Sequence, residues 1–218
     1  VLNNYKSLKK IFRKKIDYTI NAISGFDGLE PTLEVIPYTK TLAIANKESL
    51  ICAWNLIKNK IDKHKTKFVP IDSEHFSIWS LLKGTTSKIE KIYITASGGP
   101  FLNMRKTKLK NIKPKQAIKH PKWSMGRKIS IDSATLINKV FEIIEAKKIF
   151  NLNINKISIL LHPDSYVHAM VKFQNGITKV LIHDTDMKIP IFNSIYQEEN
   201  KIYKSQHLNV SKLNNLKF

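Results

Sequence analysis

Two acidic residues directly after an apolar segment offer the first chemistry in this sequence. Asp72 and Glu74 follow KFVPI, which has the composition of a buried strand. In an extended backbone, residues two apart point to the same side, so these carboxylates would converge and need a cation. Carboxylate oxygens are typical ligands of Mg²⁺ or Mn²⁺. The alternative is structural, because Asp72 and Ser73 could simply cap a helix that begins near Glu74.

A helix predicted over Ala134–Phe150 could supply a third carboxylate. Asn138, Glu142 and Glu145 lie on one stripe of that helix, because side chains three and four residues apart are neighbours. The helix also has a wide apolar surface, made by Leu136, Ile137, Val140, Phe141, Ile143 and Ile144. The polar stripe could deliver a carboxylate to the same cation, or it could simply face solvent.

Two further segments have features that favour an anion such as a phosphate group. The SGGP turn at Ser97–Pro100 follows an apolar strand, and its glycines would let backbone N–H groups approach a ligand. Asp132 or Ser133 is the predicted N-cap of the next helix, and the free N–H groups and dipole at a helix start also favour an anion. Lys139 could add a positive charge. Each feature could instead be purely structural, since such turns are common and lysine is abundant in this chain.

A lysine and an aromatic loop complete the candidates. Lys47 lies in the polar cluster AIANKES at a predicted strand end, where open parallel sheets place their ligands. Trp123 lies in the loop KHPKWSMGRK with His120, Met125 and Gly126, a composition that suggests a lid over a ligand. Trp123 could instead anchor this loop in the core.

The elements that would position these residues alternate between helices and short apolar strands. The predicted order is a basic helix to about Lys15, a strand in DYTINAISG, a helix in GLEPTLEVIPY, a strand in TKTLAIANKES and a helix over ESLICAWNLIKNKIDKHK. The strand KFVPI, a helix in DSEHFSIWSLLKG, the strand KIEKIYITA and a surface loop over 101–128 follow. Asn175-Gly176 between two β-rich segments predicts a hairpin. This alternation is typical of an α/β fold with parallel strands and crossover helices.

Composition excludes several classes of protein. The chain has 218 residues, of which 42% are hydrophobic, and no apolar segment reaches the roughly 20 residues that span a bilayer. The formal charge of +20 invites a nucleic-acid function, but arginine occurs only at positions 13, 105 and 127. Because base recognition relies on arginine, we expect no nucleic-acid partner. Because no apolar segment is long enough to span a bilayer, we also expect no membrane partner. Cys52 has no disulfide partner and is expected in the core.

Five sequence blocks resemble one enzyme family in their order and spacing. They are ANKESL, PIDSEH, TASGGPF, KHPKWSMGRKISIDSATLINK with Glu142 after it, and LHPDSYVHAMV. Together they resemble 1-deoxy-D-xylulose 5-phosphate reductoisomerase over about residues 21–190. The resemblance implies an α/β chain that contains the end of a Rossmann-like NADPH-binding domain, followed by an α/β catalytic domain.

The resemblance also implies roles for individual residues. The catalytic residues would be Lys47, Asp72, Glu74 and Glu142, of which the three acids would hold a divalent metal (Mg²⁺, Mn²⁺ or Co²⁺). The residues implied to bind the sugar phosphate are Lys47, Ser73, Ser97, His120, Trp123, Ser133, Asn138, Lys139 and Glu142. The residues implied to contact NADPH are Asn46, Glu48 and Gly126. Ser165 and His168 match a block behind the site and would have a supporting role.

The implied reaction converts 1-deoxy-D-xylulose 5-phosphate to 2-C-methyl-D-erythritol 4-phosphate in non-mevalonate isoprenoid biosynthesis. The carbon skeleton would rearrange at the metal, and NADPH would reduce the resulting aldehyde. A cytoplasmic homodimer of bacterial type is expected, and a plastid-type organelle stays open. The alternatives are another metal-dependent sugar-phosphate enzyme (a phosphatase or an aldolase), an inactive fragment, and a basic binding module.

The resemblance further predicts the domain boundaries and some departures. The predicted divisions are the NADPH-binding part at 1–71, the catalytic domain at 72–207 with its lid near 119–128, and a linker to a C-terminal domain from 208–218. The chain begins at Val1 without the family's Gly-rich loop for the NADPH phosphates, so it is expected to be a fragment that is inactive alone. Val140 stands where the family usually has glycine, and residues 196–199 replace its Trp-Pro.

Overall fold

The strands form two sheets in the computed structural model, which describes residues 8–119, 123, 125–197, 199–205 and 210–218. The strands of the first sheet are β1 (Ile16–Asn21), β2 (Thr39–Ile44) and β3 (Lys67–Pro70). They are parallel and adjacent in the order β1-β2-β3. Their carboxyl ends therefore share one edge, the arrangement that the alternation of helices and strands predicted.

Three helices are connected to this sheet. They are α1 (Leu8–Ile11), α2 (Leu29–Val35) and α3 (Lys47–His64). Apolar side chains of β2, α2 and α3 share one buried cluster. The helix α3 begins at the N-cap Asn46, whose side chain accepts a hydrogen bond from the Ser49 N–H at 2.6 Å. Two predictions were wrong here, because α1 ends at Ile11 rather than Lys15, and Cys52 is exposed.

The second sheet is mixed. Its strands are β4 (Ile89–Ala96), β5 (Ile157–Leu161), β6 (Val167–Phe173) and β7 (Thr178–Ile182). In the order β5-β4-β6-β7, β4 runs parallel to β5 and antiparallel to β6. The strands β6 and β7 form the predicted hairpin, and Gly176 in its turn has a φ of 86°, which glycine adopts readily.

The remaining helices lie around the second sheet and connect it to the first. They are α4 (Ser73–Leu82), α5 (Lys106–Leu109), α6 (Pro114–Ala117), α7 (Arg127–Ala134), α8 (Ile137–Ile149) and α9 (Lys188–Ile195). Short 3₁₀ segments occur at Phe26–Gly28, Ile36–Tyr38, Ile154–Lys156 and Val210–Asn215. The helix α8 packs on α3, where Lys148 Nζ donates to the Ile51 carbonyl at 2.7 Å. Within the described ranges, no helix combines the length and apolar character that crossing a membrane requires.

The helix predicted over Ala134–Phe150 is interrupted near its start. Leu136 has a φ of 61°, a left-handed conformation that separates α7 from α8. Asp132 and Ser133 belong to the end of α7, so their prediction as an N-cap was wrong, and Gly126 is the N-cap of α7. The predicted surface loop over 101–128 also contains α5 and α6, whose lysine-rich sequences lack apolar periodicity.

The polar stripe of α8 faces inward. Glu142 and Glu145 are each 1% exposed, whereas Ile137 and Val140 are 43% and 46% exposed. The expectation that this stripe could face solvent was therefore wrong, and the first turn of the apolar surface is exposed instead. Buried carboxylates require charged or hydrogen-bonding partners, so the interior under α8 must be polar.

Candidate functional site

Asp72, Glu74 and Glu142 form a compact carboxylate cluster beyond the end of β3. Asp72 is the N-cap residue of α4, Glu74 lies in its first turn, and Glu142 projects from α8. One oxygen of each residue lies within 4.8 Å of the other two. The predicted reason for their convergence was only half correct, because Glu74 is helical rather than extended. Asp72 makes no capping hydrogen bond through its side chain, so its carboxylate is used elsewhere.

Two buried lysines compensate these carboxylates. Lys47 Nζ, from the first turn of α3, lies 2.9 Å from Asp72 Oδ2 and 3.6 Å from Glu142 Oε1. Lys139 Nζ, from α8, lies 2.6 Å from Glu74 Oε1 and 2.6 Å from Glu142 Oε2. The two lysine residues are only 7% and 6% exposed. Burying five charges costs folding free energy even when the charges are paired, so this cluster is not explained by a gain in stability. It is therefore a strong candidate for a functional site.

Asn138 connects the two sides of the cluster. Its Oδ1 accepts a hydrogen bond from Lys47 Nζ at 2.7 Å, and its Nδ2 donates to Glu142 Oε1 at 2.5 Å. The residue lies one turn before Glu142 on α8, so the helix itself sets this spacing. Asn138 therefore orients both the ammonium group of α3 and the carboxylate of α8.

Burial and charge shift the pKa values in the cluster in different directions. Burial, together with the charge of Glu74, raises the pKa of Glu142 from its ordinary 4.5 to about 7. Burial also raises the pKa of Asp72, but the ammonium of Lys47 outweighs it and holds that pKa well below its ordinary value. Burial lowers the pKa of Lys47 and of Lys139, but the neighbouring carboxylates outweigh it and raise both. Both lysines therefore stay charged at neutral pH, whereas Glu142 exchanges its proton near pH 7.

A cavity of about 240 Å³ opens onto the cluster. The residues predicted for the site that line it are Lys47, Asp72, Ser73, Glu74, Ser97, Trp123, Ser133, Asn138, Lys139 and Glu142. Ser165 and His168, expected in a supporting role, line it as well. Thr95, Ile129 and Met187 also contribute, although no pattern in the sequence marked them. His120 lies outside the described residues.

The SGGP turn packs closely against the end of α7. Gly98 and Gly99 have φ values of 81° and 68°, and Ser97 Oγ accepts a hydrogen bond from the Gly99 N–H at 3.2 Å. A Cβ on Gly99 would lie 3.2 Å from the Ser133 carbonyl oxygen, so only glycine allows this approach without displacing backbone. The turn thus brings Ser97 and Ser133 to one cavity. Ser133 lies at the C-terminal end of a helix, however, so the predicted help from a helix N-terminus was wrong.

Trp123 packs on a pair of buried histidines at the cavity wall. Its ring meets the His168 ring edge-on at 6.0 Å between centroids, and His168 stacks on His183 at 3.6 Å. Burial and the neighbouring His183 hold the pKa of His168 well below its ordinary value. Trp123 therefore both lines the cavity and rests on buried rings, which leaves the lid and anchor interpretations of this loop open.

The residues predicted to contact NADPH do not line this cavity. Asn46 is 3% exposed, and its Nδ2 donates to the Gly25 carbonyl at 2.5 Å, so its side chain holds the loop after β1. Glu48 Oε1 lies 3.0 Å from Lys128 Nζ, next to Gly126 at the start of α7. These three residues lie where α3 approaches α7 and the loop after β1.

A buried histidine next to the cluster was not predicted. His75 is 0% exposed, and its Nδ1 lies 3.6 Å from Asp72 Oδ1 and 3.4 Å from Glu145 Oε2. Burial lowers the pKa of His75, but the charges of Glu145 and Asp72 outweigh it and raise the pKa to about 9. Burial raises the pKa of Glu145 from 4.5 to about 7. The three-residue spacing from Asp72 was a readable signal, since such neighbours share a helix face.

The donor atoms of the three-acid cluster suit a hard divalent cation. All three donors are carboxylate oxygens, which Mg²⁺ and Mn²⁺ prefer, and none is a thiolate or an imidazole. Serine hydroxyls and two ammonium groups line the adjoining cavity, and these groups suit the anionic and hydroxyl groups of a small polar molecule.

The fold and the site define an α/β protein that gathers a carboxylate cluster and a polar cavity beyond the carboxyl ends of parallel strands. The family profile described as 1-deoxy-D-xylulose 5-phosphate reductoisomerase matches residues 1–54, and the profile of that enzyme's C-terminal domain matches residues 68–150. The chain belongs to the 1-deoxy-D-xylulose 5-phosphate reductoisomerase family.

Two curated relatives show the extent of the likeness. The 1-deoxy-D-xylulose 5-phosphate reductoisomerase of Pelagibacter ubique is 64% identical over 219 residues, covering 99% of this chain and 56% of the relative. The enzyme of the same name from a Sulfurihydrogenibium species is 45% identical and covers 100% of this chain and 57% of the relative. The chain therefore spans little more than half the length of these relatives.

Solved structures give the same result for the fold. A 1-deoxy-D-xylulose 5-phosphate reductoisomerase from Zymomonas mobilis in complex with NADPH is 35% identical, with a TM-score of 0.86 over 98% of this chain and 55% of that chain. A reductoisomerase in complex with NADPH, fosmidomycin and magnesium is 37% identical, with a TM-score of 0.84 over 94% of this chain and 53% of that chain. The family and the fold class expected from the sequence are thus confirmed.

Proposed function

We propose that the complete protein containing this chain is an NADPH-dependent 1-deoxy-D-xylulose 5-phosphate reductoisomerase. It would convert that substrate to 2-C-methyl-D-erythritol 4-phosphate in non-mevalonate isoprenoid biosynthesis. The observation that carries the proposal is the cluster of Asp72, Glu74 and Glu142, in which one oxygen of each residue lies within 4.8 Å of the others beside a polar cavity. The choice of substrate and cofactor in this proposal rests on the family to which the chain belongs.

In this proposal the three acids hold a divalent metal, Mg²⁺, Mn²⁺ or Co²⁺. When bound, the metal supplies Lewis acidity toward the keto and hydroxyl oxygens of the substrate. Asp72 and Glu142 come from different helices, so the packing of α4 on α8 fixes their separation. Asn138 orients Glu142 through the 2.5 Å hydrogen bond, which prevents the carboxylate from rotating away from its neighbours.

The lysines have two tasks in this scheme. Lys47 and Lys139 keep three carboxylates close together by compensating their charge. Both ammonium groups border the cavity, where they would also bind anionic oxygens of a sugar phosphate. The phosphate itself would be bound by Ser97 and Ser133, together with Asn138 and Lys139.

The remaining proposed contacts surround these groups. Ser73 borders the metal-binding acids in the cavity wall, and Trp123, which lines the same cavity, would close the site over the substrate. His120 would contact the sugar phosphate. Closure would exclude water during hydride transfer, and a low-dielectric surrounding strengthens the charge interactions inside. The residues Asn46, Glu48 and Gly126 would contact NADPH from the side where α3 meets α7.

Further proposals concern the whole protein. We propose the division into a cofactor-binding part at 1–71, a catalytic part at 72–207 and a linker from 208–218. The complete protein would be a homodimer with no nucleic-acid or membrane partner. It would lie in the cytoplasm, as the bacterial relatives suggest. These 218 residues alone would not turn over substrate, because they contain no Gly-rich loop to bind the NADPH pyrophosphate.

The test is a coupled assay on the purified complete protein. With 1-deoxy-D-xylulose 5-phosphate and a divalent metal, NADPH absorbance should fall in step with formation of 2-C-methyl-D-erythritol 4-phosphate, and a chelator should stop both. Release of inorganic phosphate without NADPH consumption would identify a phosphatase instead. Cleavage of the carbon chain without NADPH consumption would identify an aldolase.

A further inference from the structure

His75 lies directly behind the carboxylate cluster. It belongs to α4, is 0% exposed, and contacts main-chain or side-chain atoms of two of the three acids. Its Nε2 lies 2.9 Å from the backbone carbonyl oxygen of Glu142. A carbonyl oxygen can only accept a hydrogen bond, so Nε2 must carry the hydrogen.

The other ring nitrogen of His75 faces two carboxylates. Its Nδ1 lies 3.6 Å from Asp72 Oδ1 and 3.4 Å from Glu145 Oε2. A lone pair on Nδ1 would be directed at two buried anions, whereas an N–H there is attracted to both. The ring therefore spans the two helices, with Nε2 donating to the Glu142 carbonyl and Nδ1 facing the carboxylates of Asp72 and Glu145.

Glu145 has no place in the proposed catalytic cluster. It is 1% exposed and lies one turn beyond Glu142 on α8. Its Oε2 faces the His75 ring, 3.4 Å from Nδ1. A buried carboxylate without a compensating charge costs several kcal/mol of folding free energy. Its position behind His75 therefore requires an explanation other than packing.

We propose that Glu145 and His75 form a positioning pair for the metal-binding acids. In this pair the ring of His75 joins the Asp72 carboxylate to the Glu142 backbone, and the charge of Glu145 holds the ring in place. Asp72 and Glu142 come from α4 and α8, so the ring keeps ligands from two elements at a constant separation. The inference rests on the proposed metal site and adds two residues that do not contact the metal themselves.

A second metal is the competing explanation. One ligand atom each of Asp72, His75 and Glu145 also lies within 4.8 Å of the other two. A metal there would displace the hydrogen from Nδ1 and would share Asp72 with the first site. The positioning pair requires one metal ion per chain, whereas the competing explanation requires two.

The experiment measures Mn²⁺ binding to the complete protein by calorimetry and electron paramagnetic resonance. The variants are Glu145→Gln and His75→Gln, which keep the side chains polar but remove the charges. Support of this kind around a metal typically contributes 10–100-fold in affinity, so each variant should weaken Mn²⁺ binding by about that factor. The NADPH dissociation constant should stay unchanged, which a general loss of structure would not allow. The matched control is His162→Gln, since His162 is equally buried (0% exposed) and its ring contacts Lys217 and Phe218 instead.

A double variant distinguishes a pair from two independent effects. If Glu145 acts through His75, the double variant should bind Mn²⁺ about as weakly as either single variant, whereas independent effects would multiply. Multiplied effects, wild-type affinity in Glu145→Gln, or two Mn²⁺ ions per wild-type chain would each overturn the inference. If His75→Gln does not fold, Glu145→Gln decides the matter by the same criteria. Failure of the wild-type protein to bind Mn²⁺ at all would instead overturn the proposed function.

Discussion

Replacing Glu142 by glutamine should stabilise the metal-free protein while weakening its metal site. Glu142 is 1% exposed, and its pKa is raised from 4.5 to about 7. A raised carboxyl pKa means that the folded state favours the neutral form of Glu142. The neutral carboxyl therefore stabilises the folded protein fully below about pH 4.5, and this stabilisation is lost as the pH rises through 7. The shift corresponds to about 3 kcal/mol above pH 7. Glutamine resembles the neutral acid and avoids that cost.

The expected gain is smaller than this full value. Lys139 loses one of its two carboxylate partners in the variant, although Glu74 remains at 2.6 Å, and Lys47 keeps Asp72 at 2.9 Å. We therefore expect a net stabilisation of about 1–3 kcal/mol near pH 8 and a correspondingly higher Tm. Well below pH 4.5 the difference should vanish, because Glu142 is then neutral in both the folded and the unfolded state.

The assay is thermal unfolding of the complete protein with and without a chelator. With a chelator near pH 8, Glu142→Gln should unfold at a higher temperature than the wild type. With metal at about 100 times its dissociation constant, the wild type should gain about 2.7 kcal/mol and the variant much less. A variant that is less stable than the wild type under chelation, or equally stabilised by metal, would refute this reasoning about the charge of Glu142.

Three further predictions follow from the same geometry. Metal affinity should fall as the pH drops below about 7, by up to tenfold per pH unit, because protons compete for Glu142; a pH-independent calorimetric titration would contradict this. Lys139→Ala should raise the Michaelis constant for the sugar phosphate by about tenfold to a hundredfold and leave the Michaelis constant for NADPH unchanged. Lys108→Ala, at an exposed lysine, should change neither Michaelis constant. Gly99→Ala should lower stability and raise the same Michaelis constant, because it combines a φ of 68° with a contact at 3.2 Å. Gly84→Ala, with a φ of 64° but open space around it, should lower stability only, and equal Michaelis constants for the two variants would count against a binding role for the SGGP turn.

The sequence predicted the elements whose signals are local. The strand β3 with the helix α4 after it, and the hairpin around Asn175-Gly176, were readable because strand composition and turn chemistry act over a few residues. The meeting of Asp72 and Glu74 with Glu142 was expected as one of two alternatives, and the family resemblance favoured it. The structure adds the reason, which is the packing of α8 against α3 and α4.

The sequence could not show which face of α8 is buried. An apolar surface normally faces the core, and that rule would bury Ile137 and Val140 and expose Glu142. The buried acids are compensated by Lys139 of the same helix and by Lys47 and His75, which are distant in sequence. Periodicity contains no information about the distant partners, so the burial of this stripe requires the three-dimensional structure.

Three smaller errors have similar causes. Ser133 was placed at a helix start because a polar residue before an apolar segment is a usual N-cap signal, but the left-handed Leu136 moves the boundary beyond it. His75 was overlooked although its three-residue spacing from Asp72 was a readable signal, and nothing in the sequence marks Glu145 as its second carboxylate neighbour. Cys52 was expected to be buried from its apolar neighbours, but it lies on the exposed face of α3.

The most direct test of the proposed three-carboxylate metal site is an anomalous diffraction measurement on crystals of the complete protein soaked in Mn²⁺. The proposed metal site predicts one Mn²⁺ peak per chain, at about 2.1 Å from carboxylate oxygens of Asp72, Glu74 and Glu142. It also predicts that this peak is lost in crystals of Glu142→Gln. A peak placed elsewhere, or a peak that survives the substitution at full height, would contradict the proposal that these three carboxylates form the metal site.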